Sequence, residues 1–209
     1  MRSLNECRLY GIVDLGYVRP DAVVSMTRAL VEGGVDILQL RAKNLSPEEV
    51  ETLARQMHSI TRDGGVPLVI NDHPKVAAAV GSEGVHIGQD DGAIVETRAM
   101  VGSACFVGRS THGLAQAMTA MAEGADYIGF GPLYATGTKP NYTPIGLHDI
   151  AEVHRFATVP VFCIGGVNLQ TLTAVLAAGA RRVVIVSALL LAADPRAYIR
   201  SVKELLDAP

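Results

Sequence analysis

The sequence predicts a compact single-domain α/β fold over residues 1–209, a (β/α)8 TIM barrel. Eight short apolar runs alternate with helical patterns along the whole chain, the rhythm of βα units around a parallel sheet. A small-residue helix stop recurs before several runs, and polar clusters gather at the runs' C-terminal ends, where barrel enzymes keep their chemistry. An open doubly wound sheet usually has fewer strands, so eight units favour closure.

The runs lie at 9–13, 37–41, 68–71, 85–88, 106–110, 127–131, 161–164 and 183–187. Between the second and third, Val50, Leu53, Met57 and Ile60 recur at helical spacing over 47–61. Ser46 with Glu49 three residues on supplies a capping box for that helix. The segments Glu32-Gly33-Gly34-Val35-Asp36, Glu123-Gly124-Ala125-Asp126 and Ala178-Gly179-Ala180-Arg181 each read as a helix stop and a short turn into a strand.

Composition narrows the function classes. The chain has 49% hydrophobic and 19% charged residues, enough apolar material for a sizeable core. A net charge of -3, with no basic block, argues against a nucleic-acid partner and requires any anion site to be local. Cys7, Cys105 and Cys163 are odd in number and far apart, each in or beside an apolar run, so buried thiols in a reducing compartment are expected. The N-terminus lacks the continuous apolar core of a signal peptide, and no run reaches bilayer length, which together predict a cytoplasmic protein without a membrane partner.

The second run ends in Gln39-Leu40-Arg41-Ala42-Lys43. Side chains at every second position of a strand share a face, so Gln39, Arg41 and Lys43 point together. Two cations and an amide at the end of a buried strand suit a phosphate or pyrophosphate. Asn71-Asp72 follows the third run, Gln89-Asp90-Asp91 the fourth and Arg109-Ser110-Thr111-His112 the fifth. Asp72 and an aspartate of the fourth cluster, Asp91 or Asp90, then face the cations, an arrangement that fits Mg2+ bridging a diphosphate. Thr136-Gly137-Thr138-Lys139 has the composition of a lid or second anion contact, although it lacks the glycine spacing of a Walker loop. Gly165-Gly166 and Val186-Ser187 occupy the positions where many barrels bind a phosphate. Of the six histidines, His58 and His154 fall on predicted helices and read as surface residues, His73 and His86 flank the carboxylates, and His112 is the best acid-base candidate. No nucleophile with an adjacent base stands out, which favours electrostatically stabilised group transfer over covalent catalysis.

The segments QLRAK at 39–43, ND at 71–72, HIGQDD at 86–91, GRSTH at 108–112, GFGPLYATGTK at 129–139, IGGV at 164–167 and IVSAL at 185–189 resemble the thiamine-phosphate synthase family, in the family's order and over nearly the whole chain. The resemblance implies a (β/α)8 barrel that joins 4-amino-5-hydroxymethyl-2-methylpyrimidine diphosphate to 4-methyl-5-(2-hydroxyethyl)thiazole phosphate and releases pyrophosphate. It implies a dissociative reaction with Mg2+ as cofactor, held by Asp72 and Asp91. Gln39, Arg41, Lys43 and Asn71 would contact the pyrimidine diphosphate. Ser110 and Lys139 would join Arg41 and Lys43 at the leaving diphosphate, while Thr136, Thr138, Gly166, Val186 and Ser187 would hold the thiazole phosphate. The thiazole tautomerase branch of the same superfamily is the nearest rival, and its members tend to lose the diphosphate and metal residues that this chain keeps. A non-catalytic sensor of a thiazole or thiamine phosphate is the rival from another class.

Overall fold

The computed structural model describes residues 1–137 and 143–208. The strands are β1 (Leu9–Asp14), β2 (Ile37–Arg41), β3 (Leu68–Asn71), β4 (Gly84–Ile87), β5 (Phe106–Thr111), β6 (Tyr127–Phe130), β7 (Val161–Cys163) and β8 (Val183–Ile185). They pair in parallel in chain order, and β8 returns to β1, which closes the barrel. Around it lie α1 (Val23–Gly33), α2 (Pro47–Asp63), α3 (Pro74–Val80), α4 (Ile94–Val101), α5 (Leu114–Ala122), α6 (Ile150–Phe156), α7 (Leu172–Ala177), α8 (Ser187–Leu190) and α9 (Pro195–Asp207).

Local chemistry accounts for the connections. Ser46 Oγ accepts from the Glu49 N–H, and Glu49 Oε2 accepts from the Ser46 N–H, so the expected capping box starts α2. The three expected helix stops share one hydrogen-bond pattern. After α1, Gly34 N–H donates to the Val31 carbonyl and Val35 N–H to Leu30; Gly124 with Ala125 and Gly179 with Ala180 repeat the pair after α5 and α7. This double bond closes the last helical turn and aims the chain at the next strand. Six strands differ from the expected runs: β1 and β5 run one residue further, β4 is shifted by one residue, β6 and β7 stop one residue earlier, and β8 stops two residues earlier. β7 stops at Cys163, and β8 stops at Ile185 because Val186 leaves extended geometry (φ -115°, ψ -91°) and Ser187 opens α8.

Strand alternation sorts the core into two layers. Leu38 and Leu40 of β2 point outward and pack with Leu30, Val50 and Met57 in the layer between barrel and helices. Ile37 faces inward, where it joins Cys7, Tyr10, Ile12, Val69, Tyr127, Phe162 and Val184 in the lumen. Phe162 meets Tyr10 and Tyr127 edge-on, with centroids 5.3 and 5.6 Å apart. Gly108 stands beside Tyr127 in the β5–β6 register, and a Cβ there would lie 2.0 Å from the phenol ring. Its missing side chain is what lets the ring enter the lumen.

The three thiols are free and buried, and burial pushes them up to about 12 (Cys7), 11 (Cys105) and 12 (Cys163). They therefore stay protonated and behave as core atoms. Among the described residues, no helix is long and apolar enough to cross a membrane.

Candidate active site

The lumen faces of β1, β2 and β3 each end in a polar group at the C-terminal mouth. Tyr10 and Ile12 lead on β1 to Asp14, Ile37 and Gln39 on β2 to Arg41, and Val69 on β3 to Asn71. Gln39, Arg41, Lys43, Asn71, Asp72, Asp91, Ser110, Thr136, Gly166, Val186 and Ser187 all line one cavity, so most of the expected site residues are brought together. Its volume, including the part open to solvent, is about 1110 Å³. Two expected members, Thr138 and Lys139, lie outside the described residues.

One wall is ionic. Arg41 donates from a guanidinium nitrogen to Asp14 Oδ2 at 2.7 Å, while Asp14 Oδ1 takes the Gly16 N–H at 2.8 Å. Asp14, only 3% exposed, thus fixes the angle at which Arg41 enters the mouth. Lys43 forms an ion pair with Asp72 Oδ2, which also accepts from Asn71 Nδ2 at 2.6 Å. Asp72 sits at φ +61°, a left-handed position rare for residues other than glycine, asparagine and aspartate. Its N–H is held by the His86 carbonyl at 2.9 Å. Burial raises the Asp72 carboxyl above the usual aspartate range, Lys43 opposes that shift, and the adjoining Asp91 carboxylate adds to it.

Asp91 and Asp90 part company here. Both aspartates are exposed, but Asp91 turns back to accept the Gly88 N–H at 2.8 Å and lines the cavity, whereas Asp90 is outside the lining. Of the two aspartates left open at the fourth strand, Asp91 is the one that lines the cavity. Among the described residues, no three histidine, cysteine, aspartate or glutamate side chains cluster to make a metal site unaided. Asp72 and Asp91 alone form a two-carboxylate, all-oxygen pair, the donor type that suits Mg2+ completed by substrate phosphates and water.

The opposite wall is backbone. Gly165 (φ +98°) and Gly166 (φ +65°) make the turn after β7. A Cβ on Gly165 would lie 2.5 Å from Pro132, and one on Gly166 2.7 Å from Tyr134 Cβ, so the turn packs hard against the segment leading to Thr136. Ser187, the first residue of α8, closes this wall.

Several structural roles carried no sequence signal. Arg109 stands in the fifth polar cluster, yet alternation points its side chain away from the lumen. It is 8% exposed and donates to the Gly92 carbonyl at 2.6 Å and the Gln89 carbonyl at 3.1 Å, which clamps the loop that bears Asp91. His86, expected only to flank the carboxylates, stands in the lumen between Tyr127 and Ser110 at 2.9 Å from each. His112 lines the cavity, with Nδ1 on the Gly131 carbonyl and its N–H donating to Gln116 Oε1. The surface reading of two histidines is corrected. His58 meets Glu83 at 3.1 Å with its side chain 14% exposed, and His154 is half-buried, its imidazole pushed down to about 4 by burial and by Arg181 and Arg182.

A family model described as "Thiamine monophosphate synthase" matches residues 9–189. The thiamine-phosphate synthase of Chloroflexus aurantiacus is 37% identical over 202 residues, covering 96% of this chain and 93% of its own length. That of Thermus thermophilus is 40% identical over 187 residues, covering 89% and 90%. Among solved structures, the thiamine phosphate pyrophosphorylase of Pyrococcus furiosus matches with a TM-score of 0.88 at 28% identity, covering 97% of this chain and 96% of that one. A 3-hexulose-6-phosphate synthase matches at 0.72 and 21% identity, covering 95% and 99%, a likeness of fold alone. With the closed barrel, the ionic wall and the glycine turn in the places the motifs predict, the chain belongs to the thiamine monophosphate synthase family.

Proposed function

We propose that this chain, a transferase of that family, joins 4-amino-5-hydroxymethyl-2-methylpyrimidine diphosphate to 4-methyl-5-(2-hydroxyethyl)thiazole phosphate at the barrel mouth, giving thiamine phosphate and pyrophosphate. The observation that carries the reading is the ionic wall: Arg41 and Lys43 face the Asp72–Asp91 pair in one cavity, across from a glycine turn. Cations and carboxylates so arranged divide a metal diphosphate between them.

Asp72 and Asp91 fit Mg2+ by donor chemistry, and their mutual repulsion is what a divalent cation relieves. Bound there, Mg2+ would supply positive charge to the diphosphate oxygens. Arg41, angled by Asp14, and Lys43, drawn from Asp72 toward the ligand, would take up the charge that grows as the carbon–oxygen bond breaks. The bonding pair leaves with pyrophosphate, and the thiazole nitrogen lone pair forms the new carbon–nitrogen bond. Gln39 and Asn71 would hold the pyrimidine half, with Ser110 on the diphosphate. Thr136, Gly166, Val186 and Ser187 would hold the thiazole phosphate on the opposite wall. Placing two charged substrates on separate walls lets the nitrogen approach the carbon opposite the departing group.

The test is a two-substrate assay on chelator-treated protein. Thiamine phosphate should form only with both substrates and restored Mg2+; undiminished product without metal would remove Asp72 and Asp91 from the metal role. Rapid isomerisation of the carboxylated thiazole tautomer without the pyrimidine partner would favour the tautomerase instead. The intact set Arg41, Lys43, Asn71, Asp72 and Asp91 supports the synthase.

A further inference from the structure

An unbroken hydrogen-bond chain crosses the lumen beneath the mouth. Gln39 Nε2 donates to Tyr10 Oη at 2.7 Å; Tyr10 Oη meets Tyr127 Oη at 3.0 Å; Tyr127 Oη meets His86 Nδ1 at 2.9 Å; His86 Nε2 meets Ser110 Oγ at 2.9 Å. Five side chains from five strands, β2, β1, β6, β4 and β5, are joined end to end. Both phenols are almost wholly buried, and burial raises them well above the ordinary tyrosine range, so each keeps its hydrogen.

With the Gln39 amide nitrogen facing Tyr10, counting hydrogens among the described residues gives the chain one direction. Gln39 fills one lone pair of Tyr10 with an amide hydrogen, and among the described residues the Tyr10 hydrogen then finds its acceptor in Tyr127. The Tyr127 hydrogen then goes to His86 Nδ1, its remaining hydrogen-bond neighbour among the described residues. An Nδ1 that accepts belongs to a neutral imidazole with its proton on Nε2, and that N–H donates to Ser110 Oγ. The Ser110 oxygen is thereby occupied from below, and its own hydrogen is directed at whatever fills the cavity. Reversed polarity would turn that hydrogen down onto His86 and offer the cavity a lone pair instead.

We infer that Tyr10, Tyr127 and His86 are positioning residues that lock Ser110 as a one-way hydrogen-bond donor toward the anion in the mouth. The inference rests on the reading of Ser110 as a contact to the leaving diphosphate, and it adds why a neutral hydroxyl suffices there. A donor prepared by a fixed chain needs no reorientation as charge develops, and each bond polarises the next. It also gives the lumen a task besides packing: Gly108 is empty so that the Tyr127 phenol can reach between Tyr10 and His86.

The chain is read directly by nitrogen NMR on full-length protein carrying 15N-labelled histidine, with the His86 resonances assigned by their loss in His86→Gln. The expected wild-type signature is a neutral ring protonated on Nε2 and bare on Nδ1; a proton on Nδ1 overturns the inference. Gln39→Glu can only accept from Tyr10 and so reverses the chain, moving the proton to Nδ1, and an unmoved proton in the folded variant also overturns it. Should Gln39→Glu not fold, the wild-type tautomer decides alone. Kinetics then test the route through Ser110. Tyr127→Phe keeps the ring and should lower kcat roughly tenfold with KM for the thiazole phosphate unchanged. In a Ser110→Ala background the same change should cost nothing further, whereas equal losses in both backgrounds would overturn a route through Ser110. A Ser110→Ala variant of full activity, with the wild-type tautomer intact, would instead strike the diphosphate reading of Ser110.

Discussion

Lys43 and Asp72 form an ion pair that joins the ends of β2 and β3 at the barrel mouth. The lysine is half-exposed and the aspartate side chain only 13% exposed, so the two ends of the pair differ in hydration. Burial outweighs the nearby ammonium, Asp91 adds repulsion, and the Asp72 carboxyl is left harder to ionise than a free aspartate. Such a carboxylate fits the metal-holding role proposed for Asp72.

Asp72→Asn should therefore separate stability from activity. The raised carboxyl binds its proton more tightly in the folded state, so its contribution is most favourable below the unfolded aspartate pKa and is lost as pH rises through the folded value. At pH 7 without metal, asparagine avoids that cost and tolerates the φ of +61°. Thermal unfolding should occur roughly 2–4 °C higher than in the wild type. The gap should close toward pH 3, while turnover at pH 7 falls by about a hundredfold or more. A lower melting point at pH 7 would show that the ion pair, not desolvation, governs Asp72.

The Arg109 clamp predicts a metal phenotype from a residue that does not touch the cavity. Its guanidinium holds the Gln89 and Gly92 carbonyls on either side of Asp91. Arg109→Met leaves the loop without that anchor, and the Mg2+ concentration for half-maximal activity should rise about tenfold or more. Turnover at saturating Mg2+ should recover most of its value. Loss that Mg2+ does not repair would place Arg109 in fold integrity instead.

The sequence carried the number and order of the strands and the facing of the β2 mouth residues, because both depend on patterns local in the chain. Alternation alone puts Gln39, Arg41 and Lys43 on one face, and the Ser46–Glu49 box alone starts α2. Residue pattern alone could not rank Asp91 over Asp90, a preference that came only from the family resemblance, since the loop fold that turns Asp91 back onto the Gly88 N–H leaves no local pattern. Nor did it reveal the chain from Gln39 to Ser110. Tyr10 and Tyr127 are 117 positions apart, and each reads locally as an ordinary aromatic in an apolar run. Barrel closure makes such pairs, and nothing in the immediate sequence of either partner records it. Arg109 was hidden for the converse reason: it stands within a cluster whose neighbours face the lumen, while its own position in the alternation turns it outward.

Gly108→Ala tests how closely the lumen is fitted. The added Cβ would lie 2.0 Å from the Tyr127 ring, itself packed against Phe106, Phe162 and Tyr10. Overpacking of this kind should cost about 1–3 kcal/mol, read as a lower urea midpoint with unchanged m-value. The folded fraction should lose activity as well, because displacing Tyr127 withdraws it from His86. Unchanged stability would show that the ring has room that the static packing does not reveal.

His154 predicts part of the acid sensitivity. Its imidazole is pushed down to about 4, by burial first and by Arg181 and Arg182 next, against 6.5 for the free group. A depressed histidine contributes stability in full above 6.5 and loses it as pH falls from 6.5 to about 4, because only the unfolded chain takes up the proton over that range. The full shift would correspond to about 3 kcal/mol, and the half-buried setting brings the expected loss to about 1–2 kcal/mol. His154→Gln cannot titrate, so its unfolding free energy, followed in urea from pH 7 to pH 4, should fall less steeply than the wild type's by that amount. Parallel slopes would mean that His154 gains its proton as readily in the folded protein as in the unfolded chain, with water reaching the ring beside the two arginines.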